Sequence, residues 1–380
     1  MRFQLTESQQ ALREEVREYA QTTIKPRAID LDQNEEHPTA ILEELGDRGY
    51  AGITLPEAYG GMGEGLVELS LLVEELSAAL MPVASALALH LGVATVVERF
   101  GTDRQRDRYL PAMASYETVG ALGLSEENAG SDKLAMETTA ERDGDEWVLN
   151  GHKRWITNFQ HADLVLTYAK TGPDDEAPRN VSAFLVPVDE FEVVEVWDTL
   201  GANPVKSPKA TLSDVRVPAQ RMVGERGAAY VQRGELGTGV NVPARGVGIA
   251  RAALDDTVEY TAQREQFDQP ISDFQGVEWT VGEMAKRVDT ARLLTLRAAD
   301  VADRGRDTAR EFSMAKVTAT QAAVDNANDA MQLHGGIGYT TTKHVERYLR
   351  DARLLTIAGG PNEGHEDALA AAVYEDHPRR

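Results

Sequence analysis

The densest group of chemically useful atoms is the run Gly123-Leu124-Ser125-Glu126-Glu127-Asn128-Ala129-Gly130-Ser131-Asp132. A tight loop of Gly, Ser and Asp offers backbone N–H groups and hydroxyls that can bond the polar edge of a ring and a ligand carbonyl. Next is Trp155-Ile156-Thr157-Asn158, an aromatic face beside a hydroxyl. In Arg264-Glu265-Gln266-Phe267-Asp268-Gln269-Pro270-Ile271, followed by Phe274-Gln275, a guanidinium suited to bidentate anion contact stands at a helix end. The run Gln332-Leu333-His334-Gly335-Gly336-Ile337-Gly338-Tyr339 adds an amide and open glycine backbone. Taken singly, each has a plain structural reading: a polar loop, a core tryptophan, a helix end with a turn, a structural histidine. No second histidine lies at metal-ligand spacing from His334, so no metal site is expected. The chain has no cysteine. That excludes disulfides, zinc-thiolate sites, iron–sulfur clusters and thiol nucleophiles, leaving carboxylates, hydroxyls, imidazoles or a borrowed cofactor.

These residues need elements to position them. From Thr6 to about Ser115 the pattern is helical, opening on a capping box at Thr6-Glu7-Ser8-Gln9. The stretch Leu66 to Leu76 is apolar enough for interior helices, and the glycine cluster Gly60 to Gly65 reads as a turn between helices. Between about Val119 and Glu225 the period changes to two. Strands are expected near Trp147–Gly151, Leu164–Tyr168, Ser182–Pro187 and Phe191–Val196, with Asn150-Gly151 as a hairpin signal and Thr171 to Pro178 as an exposed loop. After Pro243 helices return, through Val247–Arg264, Phe274–Arg304, Ala309–Gly335 and Thr342–Leu355, with a frayed tail from Glu375. The expectation is a multidomain α+β protein: an N-terminal all-α domain (1–118), a middle β domain (119–225) built as a small barrel or sandwich, and a C-terminal four-helix bundle (226–380).

Aspartate and glutamate total 62 against 39 lysines and arginines, a net charge of −23 in 380 residues. Such a surface repels a phosphate backbone or an anionic bilayer, so neither nucleic acid nor membrane is an expected partner. Nine of the 39 cations are lysines and 30 are arginines. High acid with scarce lysine suggests a salt-adapted, halophile-like cytoplasm, the alternative being an ordinary acidic protein of a high-GC genome. The N-terminus shows no leader pattern and no window approaches the ~18 apolar residues of a membrane span. A soluble cytoplasmic protein is expected.

Together the motifs resemble the acyl-CoA dehydrogenase family across the whole chain. Gly123 to Asp132 resembles its first signature, with Glu127 where a proline is usual. Gln332 to Tyr339 resembles the second, continued by Glu346-Arg347-Tyr348-Leu349-Arg350-Asp351-Ala352-Arg353, with Thr342 where an acid or asparagine is usual. The resemblance implies FAD as cofactor, contacted at Leu124, Ser125, Trp155 and Thr157. From a neighbouring subunit it implies contacts at Arg264, Phe267, Gln275, Gln332, Gly335 and Gly336, with Asn362 added from the last loop. It places the acyl-CoA thioester at Ser131, Thr238 and Gly359. It also implies a homotetramer and transfer of electrons to an electron-transfer flavoprotein.

The resemblance further implies a glutamate that removes the α-proton, at one of two positions. Here Gly359 holds the first, and Pro361 replaces a flavin-facing threonine beside it; Thr238 holds the second, with Gly239 where an arginine usually follows. Glu235 is the nearest carboxylate to Thr238 and is the candidate base. The expected reaction is α,β-desaturation of an acyl-CoA. The alternatives are a flavin oxidase or monooxygenase needing no α-proton abstraction, and a non-catalytic subunit that binds FAD or acyl-CoA.

Overall fold

The fold was obtained as a computed structural model, which describes residues 4–376 apart from Glu235. It starts where capping chemistry dictates. Thr6 Oγ1 accepts from Gln9 N at 3.2 Å and Gln9 Oε1 accepts from Thr6 N at 2.9 Å, opening helix α1 (Glu7–Tyr19). Helices α2 (Ala28–Gln33) and α3 (Thr39–Asp47) follow. Gly60 to Gly65 is the turn into α4 (Leu66–Phe100), and α5 (Asp103–Ala114) ends the helical third.

Helix α4 corrects one expectation. It is long and apolar enough to cross a membrane, with a mean hydropathy of 1.9 over its best window, of which 83% is buried in the molecule. It is the central core helix. Its backbone breaks at Leu80 (φ −154, ψ 101), two residues before Pro82, where a missing N–H and a ring clash interrupt the helical ladder.

The middle segment carries strands β1 (Gly120–Gly123), β2 (Thr139–Asp143), β3 (Glu146–Lys153), β4 (Leu164–Lys170), β5 (Val181–Pro187), β6 (Glu192–Val196), β7 (Pro208–Pro218) and β8 (Met222–Val223). Their order is β6-β7-β3-β2-β4-β5-β8, with β1 paired to β4 in parallel. This is an open mixed sheet, not the barrel or sandwich expected, because the end strands β6 and β8 do not pair with each other and one residue pair, Thr139 with Lys170, joins β2 to β4. Period two decides the two faces. Leu164, Leu166, Tyr168, Ala183 and Leu185 pack toward α4 and α5 with Val97, Leu110 and Met113, while Val165, Ala169, Phe184 and Val186 join Trp147, Leu149, Val215 and Val217 on the other side.

Asn150-Gly151 is not the hairpin turn. It lies inside β3, at an irregularity in the pairing with β7, and a Cβ on Gly151 would sit 2.5 Å from Thr138 Oγ1. Glycine is there for close approach, as at bulges generally. The turn between β2 and β3 is Gly144-Asp145, where Gly144 has φ +58.

The last part holds α6 (Ala229–Gly234), α7 (Asn241–Gln263), α8 (Gln275–Asp303), α9 (Ala309–His334) and α10 (His344–Leu355). A small ribbon, β9 (Glu265–Gln266) with β10 (Gln269–Pro270), links α7 to α8. The four long helices are α7 to α10, and a fifth, α11 (Asn362–Asp376), packs on α9. The tail expected to fray keeps Glu375 and Asp376 in α11, and its other residues lie outside the described ones. Helices α1, α4, α7 and α8 meet at a buried charge cluster. Arg251 Nη2 reaches Glu75 at 2.5 Å, Arg13 Nε and Arg17 Nη2 reach the same carboxylate at 3.0 and 2.8 Å, and Arg292 Nη2 reaches Glu74 at 2.8 Å.

Candidate active site

Strand β1 delivers the chain into the loop from Leu124 to Asp132, and Glu126 fixes it there. Its buried carboxylate accepts from Glu137 N at 2.5 Å and Thr138 N at 3.2 Å, and pairs with Lys153 Nζ at 2.5 Å. Lys153, itself fully buried, also donates to Leu124 O at 3.4 Å, and Ser125 O accepts from Arg154 N at 2.8 Å. Burial alone would raise the Glu126 carboxyl, but the Lys153 charge and these hydrogen bonds hold it below the ordinary carboxylate range. Burial pushes Lys153 down to about 8 against the pull of Glu126, so both are charged at neutral pH. Glu127 ties the outer side through Arg154 at 2.8 Å and Lys209 at 3.2 Å, a restraint where proline is usual. Among the described residues, nothing engages the hydroxyls of Ser125, half-buried, or Ser131, exposed. The loop is thus tied down from beneath, and its two serine hydroxyls carry no hydrogen bond among the described residues.

Trp155 has φ +58 and is 53% exposed, tilted against Trp197 with ring centroids 4.1 Å apart. Thr157 Oγ1 accepts from Ser207 Oγ at 3.4 Å. Asn158, also at positive φ, is held by His37 Nε2 at 2.6 Å and by Tyr116 OH at 3.4 Å. An exposed aromatic face, a hydroxyl and loop N–H groups suit a flavin ring.

The other expected cofactor residues lie at one end of the helical bundle. Arg264 caps α7 and is exposed, with its carbonyl accepting from Ile271 N at 2.8 Å. Phe267 is 88% exposed at φ +54. Gln275 begins α8, Gln332 lies near the end of α9, and Gly335 and Gly336 follow; a Cβ on either glycine would meet nothing within 4 Å. Tyr260 stacks on His334 at 4.3 Å, bringing both segments to that end. His334 is buried, with Nδ1 bonded to Ala330 O at 2.7 Å, which makes it structural. Among the described residues no hydrogen bond, ion pair or ring contact joins this group to Ser125 or Trp155. The exposed Arg264 guanidinium, which has no carboxylate partner among the described residues, suits a pyrophosphate.

At the expected base positions there is no carboxylate among the described residues. Glu235 lies outside them, and Thr238 falls in the turn Gly237–Val240. A Cβ on Gly239 would lie 3.0 Å from the Phe312 ring, so Phe312 fills the space a larger residue would need. Gly359 has φ +72, and a Cβ there would meet Val242 Cγ2 at 3.0 Å. Its loop is pinned by Lys316, whose Nζ donates to Thr356 O at 3.2 Å, Gly360 O at 2.6 Å and Asn362 Oδ1 at 2.8 Å. The Asn362 amide oxygen is thus turned inward, where Thr320 Oγ1 also donates to it at 3.0 Å. His365 Nε2 contacts Gly359 O at 3.1 Å; because a carbonyl only accepts, Nε2 carries the hydrogen and Nδ1 accepts from Ser313 Oγ at 3.1 Å. Burial takes Lys316 down to about 8 and lowers His365.

Sequence reasoning missed the Glu126–Lys153 pair and the Lys316 anchor. The available signal was lysine itself, scarce in this chain yet present at both points.

Family models of the acyl-CoA dehydrogenase N-terminal, middle and C-terminal domains match residues 6–117, 121–215 and 225–374. A probable acyl-CoA dehydrogenase of Bacillus subtilis (strain 168), YngJ, is 38% identical over 369 residues, covering 96% of this chain and 97% of the relative. Butyryl-CoA dehydrogenase from Megasphaera elsdenii superposes with a TM-score of 0.94 at 30% identity, covering 98% of this chain and 100% of that one. The prolyl acyl carrier protein oxidase AnaB superposes with a TM-score of 0.92 at 25% identity, covering 97% and 100%. With all three domain models matched in order over nearly the full length, the chain belongs to the acyl-CoA dehydrogenase family.

Proposed function

We propose that the protein is an FAD-dependent acyl-CoA dehydrogenase that desaturates an acyl thioester between Cα and Cβ and passes the electrons to an electron-transfer flavoprotein. The observation that carries this is the loop from Leu124 to Asp132, rigidly held by Glu126 and Lys153 while the hydroxyls of Ser125 and Ser131 stay unengaged. FAD, when bound, supplies the acceptor for the hydride leaving Cβ. This chain's part is to hold the flavin edge at Leu124, Ser125, Trp155 and Thr157, and the thioester near Ser131, Thr238 and Gly359. The remaining cofactor residues, Arg264, Phe267, Gln275, Gln332, Gly335 and Gly336, face outward on the bundle, which supports a homotetramer in which each copy completes a neighbour's site. Asn362 contributes from the pinned loop through its amide nitrogen. Glu235 is the proposed acceptor of the α-proton.

A second reading rests on the vacancy at Gly359 and Thr238. Losing a general base typically costs roughly 10²–10⁴ in rate, which favours a flavin oxidase or monooxygenase that needs none, and the likeness to an oxidase supports it. A FAD- or acyl-CoA-binding subunit without catalysis is the remaining alternative. Anaerobic mixing with an acyl-CoA series separates them. Rapid flavin bleaching supports dehydrogenation, oxygen consumption with another reductant supports the oxidase, and neither supports the binding subunit. Unchanged bleaching in Glu235→Gln would remove Glu235 from its role.

A further inference from the structure

The bundle core contains a guanidinium without a counter-ion among the described residues. Arg245 on α7 is 4% exposed, and all its hydrogen-bond partners are neutral: Ser85 Oγ on α4, and Asn241 O at 3.4 Å and Oδ1 at 3.0 Å one turn back. No carboxylate pairs with it among the described residues. Every other arginine or lysine buried to this degree has an anion or a set of carbonyls: Arg251 has Glu74 and Glu75, Arg347 has Asp351 and Ala79 O, Lys153 has Glu126, and Lys316 has three oxygens. Burial pushes Arg245 down to about 10, with no charge among the described residues opposing the shift. A guanidinium still holds its proton at neutral pH, and a buried charge is costly unless paired.

Its place in the fold shows where an anion would come from. Gly239, Val242 and Arg245 follow at intervals of three, neighbouring positions on one side of the helical path. Thr238, just before Gly239, and Gly359 are the positions that the resemblance gives to the base, and a Cβ on Gly359 would meet Val242 Cγ2 at 3.0 Å. Arg245 is about 4.5 Å farther along the α7 axis than Val242 at 1.5 Å per residue, bonded to α4 at Ser77 and Ser85 on either side of the break at Leu80 and Pro82. A group that entered past Gly359 and continued along α7 beyond Val242 would meet this charge.

Resting on the acyl-CoA reading above, we infer that Arg245 receives a carboxylate at the far end of a short acyl group, so that the preferred substrate is the mono-CoA thioester of a small dicarboxylic acid. The fork of a guanidinium matches a carboxylate bidentately, and Ser85 and Asn241 hold it in position. A plain alkyl end would leave the charge uncompensated.

The test compares dissociation constants of succinyl-CoA, glutaryl-CoA and butyryl-CoA for the FAD-loaded protein, by anaerobic calorimetric titration. Charge-assisted pairing predicts that one diacid thioester binds at least about tenfold tighter than butyryl-CoA, and that Arg245→Gln brings this ratio to about one. Flavin content and circular dichroism establish that the variant is folded, and the comparison in the unsubstituted protein stands without it. A ratio at or below one, with butyryl-CoA still bound, overturns the inference and leaves the acyl-CoA reading standing. A preference that survives Arg245→Gln overturns the assignment to Arg245. Binding of none of the three overturns both.

Discussion

Glu126 and Lys153 show how a loop is held in place by residues buried beneath it. Removing one partner of a buried ion pair leaves the other charge uncompensated, at a cost of roughly 3–5 kcal/mol. Lys153→Met is therefore expected to lower unfolding free energy by about that amount and to release FAD on gel filtration, read by denaturant titration and by flavin absorbance per chain. Asp351 gives a pH signature. Its carboxylate is buried, accepts from Ala202 N at 2.8 Å, and is raised by burial from 3.8 to about 6. The folded value lies above the unfolded one, so its stabilisation is full below pH 3.8 and is lost as pH rises through about 6. Between about pH 4 and 7 the protein should lose roughly 2–3 kcal/mol relative to Asp351→Asn. Parallel urea curves for the two proteins across that range would refute this. At Gly359, positive φ and the nearby Val242 set a different limit. Gly359→Ala is expected to cost about 1–3 kcal/mol.

At the scale of elements, the cluster around Glu74 and Glu75 governs the docking of α1. Glu75 is fully buried and pairs with arginines from two other helices. Glu75→Gln should destabilise the protein by roughly 3–5 kcal/mol, with hydrogen exchange in α1 rising before that in α9. The elements themselves were unevenly legible. Helices α7 to α10 were readable because a sustained 3.6-residue period and Pro243 announce them. Strands β3 to β6 were readable from alternation. Strand β7 was missed although it is the longest, since two exposed residues in succession, Ser213 and Asp214, throw Val215 and Val217 out of phase with Ala210 and Leu212. Asn150-Gly151 carried the turn chemistry of a hairpin but serves a close approach to Thr138, which only the third dimension reveals. Whether the sheet closes depends on pairing between strands far apart in sequence, and no local pattern encodes that. The flavin-side motifs were legible as signatures. The lysines that anchor their loops, and Arg245 with no carboxylate partner among the described residues, emerge only from packing.

For the whole molecule, two collective properties follow. Phe267, Trp279 and Tyr339 are 88%, 68% and 83% exposed on the helical part, large aromatic surfaces that a monomer rarely leaves in water. Light scattering should give four times the 41.5 kDa chain, and Phe267→Asp should reduce both the mass and FAD retention. The net charge of −23 sets the second. Screening shortens from about 10 Å at 0.1 M salt to about 3 Å at 1 M, so the melting temperature should fall on dialysis from molar potassium chloride to about 0.1 M. A salt-independent melting temperature would instead support an ordinary acidic protein.

Helix α4 also imposes an order of events at the ribosome. Its face carrying Ala78 and Met81 is covered by residues of α7, α9 and α10, such as Ile249, Ala323 and Tyr348. The first of those helices begins at Asn241, long after α4 ends at Phe100. At roughly 5–20 residues per second of synthesis, about seven to thirty seconds pass in which that face of an apolar segment long enough to span a bilayer waits for its cover. During that interval the nascent chain presents what membrane-insertion machinery and holding chaperones both select. The helix that later forms the dry centre of the enzyme is thus the segment whose sorting must be decided before the enzyme exists.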